Sequence, residues 1–393
     1  MRIITRYLLG DLLAVFLLTL LGMTTLIFVA MIGKEAIGHG LGPGPLVRMT
    51  PYLLPQAMQF AVPATMLLAV TSVYGRMSSS NEVVALKAAG VSPWSLAAPT
   101  LALAALVSLI AVALNDIAVS WGRLGVERVF IESIDEVIYG KLRVDHAYAN
   151  DQISISVRRV EGHKLIEPSV TGFLSESGEA WSGSADWAEL ESLPSKDQVI
   201  FRFHNCEITT GPNGAFDPKT FEQVIGLEKL AGRDGHRSPS TYALAEISDA
   251  RRRAAELISQ LEQQQAADAA IALLTGDLGL LSQPAWEADE RRLAGARFTH
   301  SRLGAEPYRR WAAGFSCLAF VAVGIPVAVI LRTSEMLNSF FMCFGPIMLA
   351  YYPVFMFSIG EAKGGDVWPI TVWAANVMLA FVGWMLMRKV IRY

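Results

Sequence analysis

Leu12 to Gly33 reads LLAVFLLTLLGMTTLIFVAMIG, 22 residues without one Asp, Glu, Lys or Arg. A helix rising about 1.5 Å per residue needs roughly 20 such residues to cross the hydrocarbon core of a bilayer. Five further stretches meet that length with none of the four charged types: Met49–Gly75, Ala88–Asn115, Trp311–Leu331, Met336–Gly360 and Val367–Met387. The fold class that follows is a polytopic α-helical membrane protein with six transmembrane helices. No small-x-small cleavage site follows the first run, so it reads as a retained helix and not as a removed signal peptide.

Composition agrees, since 52% of the 393 residues are apolar and the mean hydropathy is +0.37. The charges are segregated. Residues 116–310 hold 22 of the 33 Lys and Arg and 30 of the 36 Asp and Glu, a formal charge of −8, while the other 198 residues carry only 17 charged side chains. Ionised groups at bilayer depth cost about 2.5 to 3.5 kcal/mol each on insertion scales, which explains their scarcity there. The net charge of −3 argues against a nucleic-acid partner.

Short-loop charges orient the chain. Arg2, Arg6, Arg76, Lys87, Arg332, Arg388, Lys389 and Arg392 lie on the side of the termini, against Lys34, Arg48 and Lys363 opposite. The positive-inside rule then makes both termini cytoplasmic and residues 119–307 extracytoplasmic. Pro55, Pro63, Pro99, Pro326, Pro346 and Pro353 punctuate the spans. They imply bundle packing with possible kinks, whether as ordinary membrane prolines or as parts of a moving gate.

Between Lys141 and Lys229 the period becomes two. Ile153, Ile155 and Val157 alternate with Ser154, Ser156 and Arg158, and Val199, Phe201 and Phe203 with Ile200, Arg202 and His204, separated by turn signals such as Gly211-Pro212-Asn213-Gly214. Residues 119–238 are expected to form an inserted extracytoplasmic β-jellyroll-like domain. Ser238 and Pro239 then read as a cap and first turn ahead of a helix of some 25 residues with Leu244, Ile247, Ala254, Ile258 and Leu261 on one stripe. Pro284 is expected to break a second helical piece, so 239–307 reads as a helical segment and linker between spans 1–118 and 308–393.

Catalytic signatures are missing: the sequence holds no GxxxxGK[ST], HExxH or GxSxG. No catalytic residue, cofactor or metal is expected. His204 and Cys206, the single close His/Cys pair, would share one face of a strand but are too few ligands for zinc. Cys317 and Cys343 lie in spans, and Cys206 stands alone in the soluble block.

The loop between spans two and three, Gly75-Arg-Met-Ser-Ser-Ser-Asn-Glu82-Val-Val-Ala-Leu-Lys87-Ala-Ala-Gly90-Val-Ser-Pro93, carries a helix with both ends marked. Ser79 and Glu82 have capping-box spacing, and Gly90 with Pro93 supplies the stop. A two- to three-turn helix near 79–90 is too short to stand undocked. It is either a connector resting on its own bundle or a coupling helix that plugs into a separate ATPase subunit, Glu82 facing a basic residue there.

This same region, Val62-Pro63-Ala64 through Tyr74-Gly75-Arg76-Met77-Ser78, Asn81-Glu82-Val83 and Ala88-Ala89-Gly90-Val91-Ser92, resembles the signature of the lipopolysaccharide export permeases of the LptF/LptG type. Arg6-Tyr7, Gly324-Ile325-Pro326 and the order of three spans, β domain and three spans extend the resemblance over nearly the whole chain. It implies a half-transporter of the bacterial inner membrane. Its partners would be a second, homologous six-span permease, a cytoplasmic ABC ATPase dimer and a periplasmic jelly-roll bridge protein, and its substrate lipopolysaccharide. Glu82, Ser79 and Arg76 are then the ATPase-coupling candidates. Lys34 occupies the family's cationic site at the cavity mouth; with it, Arg48, Ile153, Phe201 and Phe203 are the candidate substrate contacts. The segment 239–295 looks longer and more helical than is usual in the family. Where a Glu and a His-Arg pair often precede span four, this chain reads Arg297-Phe-Thr-His300-Ser-Arg302.

Two other classes compete. A membrane-embedded enzyme needs several ionisable or nucleophilic groups at bilayer depth, and the spans offer only hydroxyls, Tyr351, Tyr352 and two cysteines. A membrane-anchored sensor or scaffold with a ligand-binding β domain would leave six proline-rich spans and the cytoplasmic helix without a purpose.

Overall fold

The computed structural model describes residues 2–392 apart from 40, 134–137, 141, 144, 150–152, 163, 174–179, 194–197, 211–213, 217–218, 227–237, 277–283 and 333–335. The helices are α1 (Arg2–His39), α2 (Pro43–Ser79), α3 (Glu82–Ala88), α4 (Pro93–Ile117), α5 (Leu124–Glu132), α6 (Leu244–Thr275), α7 (Pro284–Leu331), α8 (Met336–Gly364) and α9 (Ala374–Arg392). Among the described residues, six helical stretches, built on α1, α2, α4, α7, α8 and α9, are long and apolar enough to cross a membrane. The protein is a polytopic helical membrane protein with a strand-rich region inserted between its third and fourth spans.

Two compact units make up the chain. One comprises 1–27, 54–121 and 238–393; the other comprises 28–53 and 122–237.

In the first unit α7 is the axis, packing against α4, α6, α8 and α9. Lipid tails are as apolar as leucine, so helices in a bilayer associate through close packing and interhelical hydrogen bonds. Both are present. A Cβ on Gly383 would lie 2.5 Å from the Ala322 carbonyl oxygen, and one on Gly314 would lie 2.8 Å from the Val112 amide nitrogen, so α9 and α4 approach α7 at backbone distance. Asn376 Nδ2 donates to the Ala312 carbonyl at 2.8 Å, Ser108 Oγ accepts from the Leu318 amide at 3.2 Å, and the Tyr74 hydroxyl bonds Leu96 O and Thr100 Oγ1 at 2.9 and 2.8 Å.

Segment 239–307 is helical as expected, but its helices are longer. A 3-10 turn at Pro239–Thr241 precedes α6, whose amide at Ala243 donates to the Glu246 carboxylate at 3.4 Å. The helix runs 32 residues, past the 25 expected, to the left-handed Gly276. Pro284 opens α7 where a break was expected, because proline at a first helical position has no amide to satisfy. From there α7 runs without interruption through Pro307 and Pro326. The hairpin is laced by Arg297 to Glu262 at 2.8 Å and Arg251 Nε to His300 Nε2 at 3.3 Å.

Among its described residues the second unit holds nine strands, all antiparallel. They are β1 (Ala147–Ala149), β2 (Ile153–Ser156), β3 (Arg159–Glu161), β4 (Lys164–Ile166), β5 (Ser169–Phe173), β6 (Ala180–Leu193), β7 (Gln198–Thr210), β8 (Gly214–Phe216) and β9 (Thr220–Gly226). The expected turn at Gly211-Pro212-Asn213 and the window ends Lys141 and Lys229 lie outside the described residues.

The long β6–β7 hairpin organises the sheet and kinks midway. Pairing runs from Trp181↔Thr210 to Ala185↔Cys206 and resumes at Trp187↔His204, skipping Asp186 and Asn205. Asn205 has φ +51°, and its side-chain amide donates to Asp186 Oδ2 at 3.0 Å. Partners change at the same place: β6 leaves β5 for β4, while β7 trades β9 for β8. One residue on each strand is left unpaired, so the register is kept while the parity that faces the core changes on both strands, from Ala185 to Ala188 on β6 and from Phe203 to Cys206 on β7. Phe201 and Phe203 are buried before it, Cys206 and Ile208 after it, and both pairs join one core with Ile155, Leu165 and Val170. This overturns the expectation for His204 and Cys206: Cys206 is inside, while His204 stacks on Trp187 at 3.8 Å. Ile138, Tyr139 and Leu142 fill the same core, and the Tyr139 hydroxyl accepts from the Leu190 amide at 3.0 Å.

Candidate functional site

The turn between α2 and α4 forms from short-range bonds, but not those its sequence suggests. The residue before α3 is Asn81, held at φ +60°, ψ +15° with no side-chain cap. Ser79 is therefore no cap: it ends α2, and its hydroxyl donates to the Arg76 carbonyl at 2.9 Å. Ser80 takes the place expected for Ser79, its Oγ 2.9 Å from Glu82 Oε1. The left-handed Asn81 turns the chain too sharply for the capping-box geometry, although its carbonyl still accepts from Ala85 at 2.9 Å. The stop is as read: Gly90 has φ +82°, and Ser92 caps α4 through the Trp94 amide at 3.3 Å ahead of Pro93.

Within its own bundle α3 is held at one face. Val83 is buried in the core shared with Leu8, Met77 and Val390, Leu86 packs against it, and Lys87 Nζ caps the end of α9 through the Val390 carbonyl at 3.0 Å. Ser78 Oγ likewise donates to Val329 O at 2.8 Å, anchoring the end of α2 to α7. The other face, Glu82, Val84, Ala85 and Ala88, is exposed. Arg76 is paired with Asp11 of α1 within the chain. The three coupling candidates thus share one corner with different tasks: Arg76 and Ser79 shape it, and Glu82 faces out.

Lys34 and Arg48 are both exposed, on α1 and α2. Lys34 does not end its helix. α1 continues to His39 and α2 starts at Pro43, so Lys34 sits on a helical surface more than a turn from the end of α1. Phe201 and Phe203, 1% and 5% exposed, lie inside the β core. Ile153 pairs in register with Gly172, and its side chain lies outside the described residues.

The sequence reading missed a cluster where the apolar runs end. Arg310, 1% exposed, is ion-paired with Asp116 and donates from Nη2 to the Tyr242 carbonyl at 2.6 Å and the Ser240 carbonyl at 3.4 Å. Asp116 Oδ1 also accepts from the Leu244 amide at 2.9 Å. Glu306, fully buried one turn before Arg310, is bonded by Arg309 at 2.6 and 3.0 Å. These groups tie α4, α7 and the entry to α6 together. The available signal was Asp116 directly after span three and Arg309-Arg310 directly before span four; the pattern at Arg297-His300-Arg302 lies instead along the helical hairpin.

A sequence model described as "Lipopolysaccharide export system permease LptF/LptG" matches residues 6–389. The chain belongs to the LptF/LptG family. As a permease of that family it is a transporter component rather than an enzyme, and its apolar spans place it in a membrane. A search of curated proteins finds no match.

Proposed function

We propose that this chain is one half of an ATP-driven lipopolysaccharide exporter of the bacterial inner membrane. It pairs with a second six-span permease around a lipid cavity, both termini are cytoplasmic, and a separate ABC ATPase dimer supplies the energy. The observation that carries this reading is α3, a short helix fastened on one face to its own bundle and exposed on the other, with Glu82 on the exposed face. Such a helix passes a push from a partner to α9, through Lys87, and to the core that Val83 shares with α1 and α2. Glu82 meets a basic residue of the ATPase.

Co-purification tests this. Mildly solubilised membranes should yield the chain with an ATPase subunit and a second six-span permease; recovery of the chain with neither would end the proposal.

At the extracytoplasmic side, Lys34 and Arg48 receive the phosphates of the lipid headgroup through charge-assisted hydrogen bonds. The acyl chains then pass to the β sheet, where Ile153, Phe201 and Phe203 are the contacts and from which a periplasmic jelly-roll bridge takes the lipid. Because Phe201 and Phe203 are buried, lipid reaches them only when the sheet opens along an edge. Lys34→Asp should lower lipid extraction about tenfold or more, as loss of one such bond implies, whereas Lys34→Arg should retain most of it. Membrane insertion should be equal in both variants. Equal extraction by the two would reduce Lys34 to a headgroup anchor.

A further inference from the structure

Two hollows on the first unit meet at the level where α7 and α9 leave the bilayer. The inner one, about 830 Å³, is walled by Ile370, Ala374, Val377, Met378 and Phe381. Those on α9 recur at helical spacing, and Val377 and Phe381 are 63% and 60% exposed, an apolar stripe that suits lipid tails. The outer one, about 540 Å³, lies between α6 and α7, with Leu244, Ile247 and Arg251 on one wall and Leu303, Gly304 and Pro307 on the other. Tyr308 and Trp373 line both. The stack Trp311–Phe315–Trp373, with centroids 6.1 and 5.5 Å apart, floors the junction. Aromatic side chains collect at the depth of lipid headgroups, so the inner hollow is at acyl depth and the outer at headgroup depth.

The outer hollow carries a placed cation. Arg251 lies over Gly304, its guanidinium within van der Waals reach of where a Cβ there would stand, 3.7 Å from the guanidinium carbon. Its Nε donates to His300 Nε2 at 3.3 Å. The Nη groups carry no described hydrogen bond.

We infer that this paired hollow is a binding site for one anionic glycerophospholipid, its chains along α9 and its phosphate on Arg251. Volumes of this order envelop a single small amphiphile; they suit one or two acyl chains and not a multiply acylated glycolipid. The lipid would fill the wedge between α6, α7 and α9. The inference does not depend on the direction or energy source of transport.

Native mass spectrometry of the delipidated full chain, titrated with palmitoyl-oleoyl phosphatidylglycerol, the matching phosphatidylcholine and lipid A, tests it. One phosphatidylglycerol should be retained about tenfold more tightly than phosphatidylcholine, as a single charge-assisted contact implies. Arg251→Ala should abolish the preference while leaving weak binding of both, and Val377→Trp, which fills the inner hollow, should remove both. Arg251 is exposed, so its loss leaves the fold intact. Equal retention of the two phospholipids by the wild-type chain, an unchanged preference in Arg251→Ala, or displacement of phosphatidylglycerol by equimolar lipid A would overturn the proposal.

Discussion

Glu82→Arg is expected to abolish recovery of the ATPase with the permease, and lipid export with it, while the chain stays folded in the membrane. The expectation follows from what Glu82 touches. It is exposed, its described partner is Ser80 Oγ, and the contacts that hold α3 are made by Val83, Leu86 and Lys87. Losing a carboxylate at a helix start costs about 0.3 to 1 kcal/mol, too little to unfold the bundle. Inverting a charge paired across an interface costs about 2 to 5 kcal/mol, enough to dissolve most complexes at cellular concentrations. Thermal unfolding in detergent should therefore be nearly unchanged while the pull-down fails, and Glu82→Gln should fall between. Intact complex formation in the arginine variant would leave α3 as a connector.

Arg310→Ala should have the largest effect on stability. The substitution leaves Asp116 without its cation, removes the donor to the Tyr242 carbonyl, and leaves the buried Glu306 to Arg309 alone. Breaking a buried ion pair by removing one partner costs about 3 to 5 kcal/mol. Total stabilities are only about 5 to 15 kcal/mol, so the loss is a sizeable fraction. The melting temperature should drop, and protease cleavage near 238–244 should rise first because α6 loses its tether. Arg310→Lys should recover part of it, one ammonium being unable to serve Asp116 and a carbonyl in the fork geometry. An unchanged melting temperature in Arg310→Ala would mean that the group is solvated.

The sequence made the spans legible because bilayer thickness imposes a length and a composition that single substitutions cannot disguise. The strands of the β region were legible where alternation is undisturbed, as at Phe201 and Phe203. Alternation fails as a guide at Asn205, since a left-handed residue changes parity without any change in hydropathy, and the faces of Cys206 and His204 were misread for that reason. Asn81 misled in the same way: the spacing of Ser79 and Glu82 is a capping box only if the residue before the helix is extended. Charge counts misplaced the 306–310 cluster by assigning it to the soluble block, because composition records a charge without its neighbours. Pro284 misled by ambiguity, proline marking a helix start as well as a break.

The uninterrupted course of α7 makes it a lever. Its 48 residues at about 1.5 Å each form a rod of about 72 Å, of which roughly 40 Å precedes Trp311. Arg310 stands at the fulcrum, fastened to α4, and Pro307, whose missing amide leaves a carbonyl one turn earlier free, stands beside it. A tilt of about 10° in the apolar half then sweeps the far end of the rod through roughly 7 Å, given its rise per residue. Small rotations within the bilayer are thereby read out as large displacements far from it.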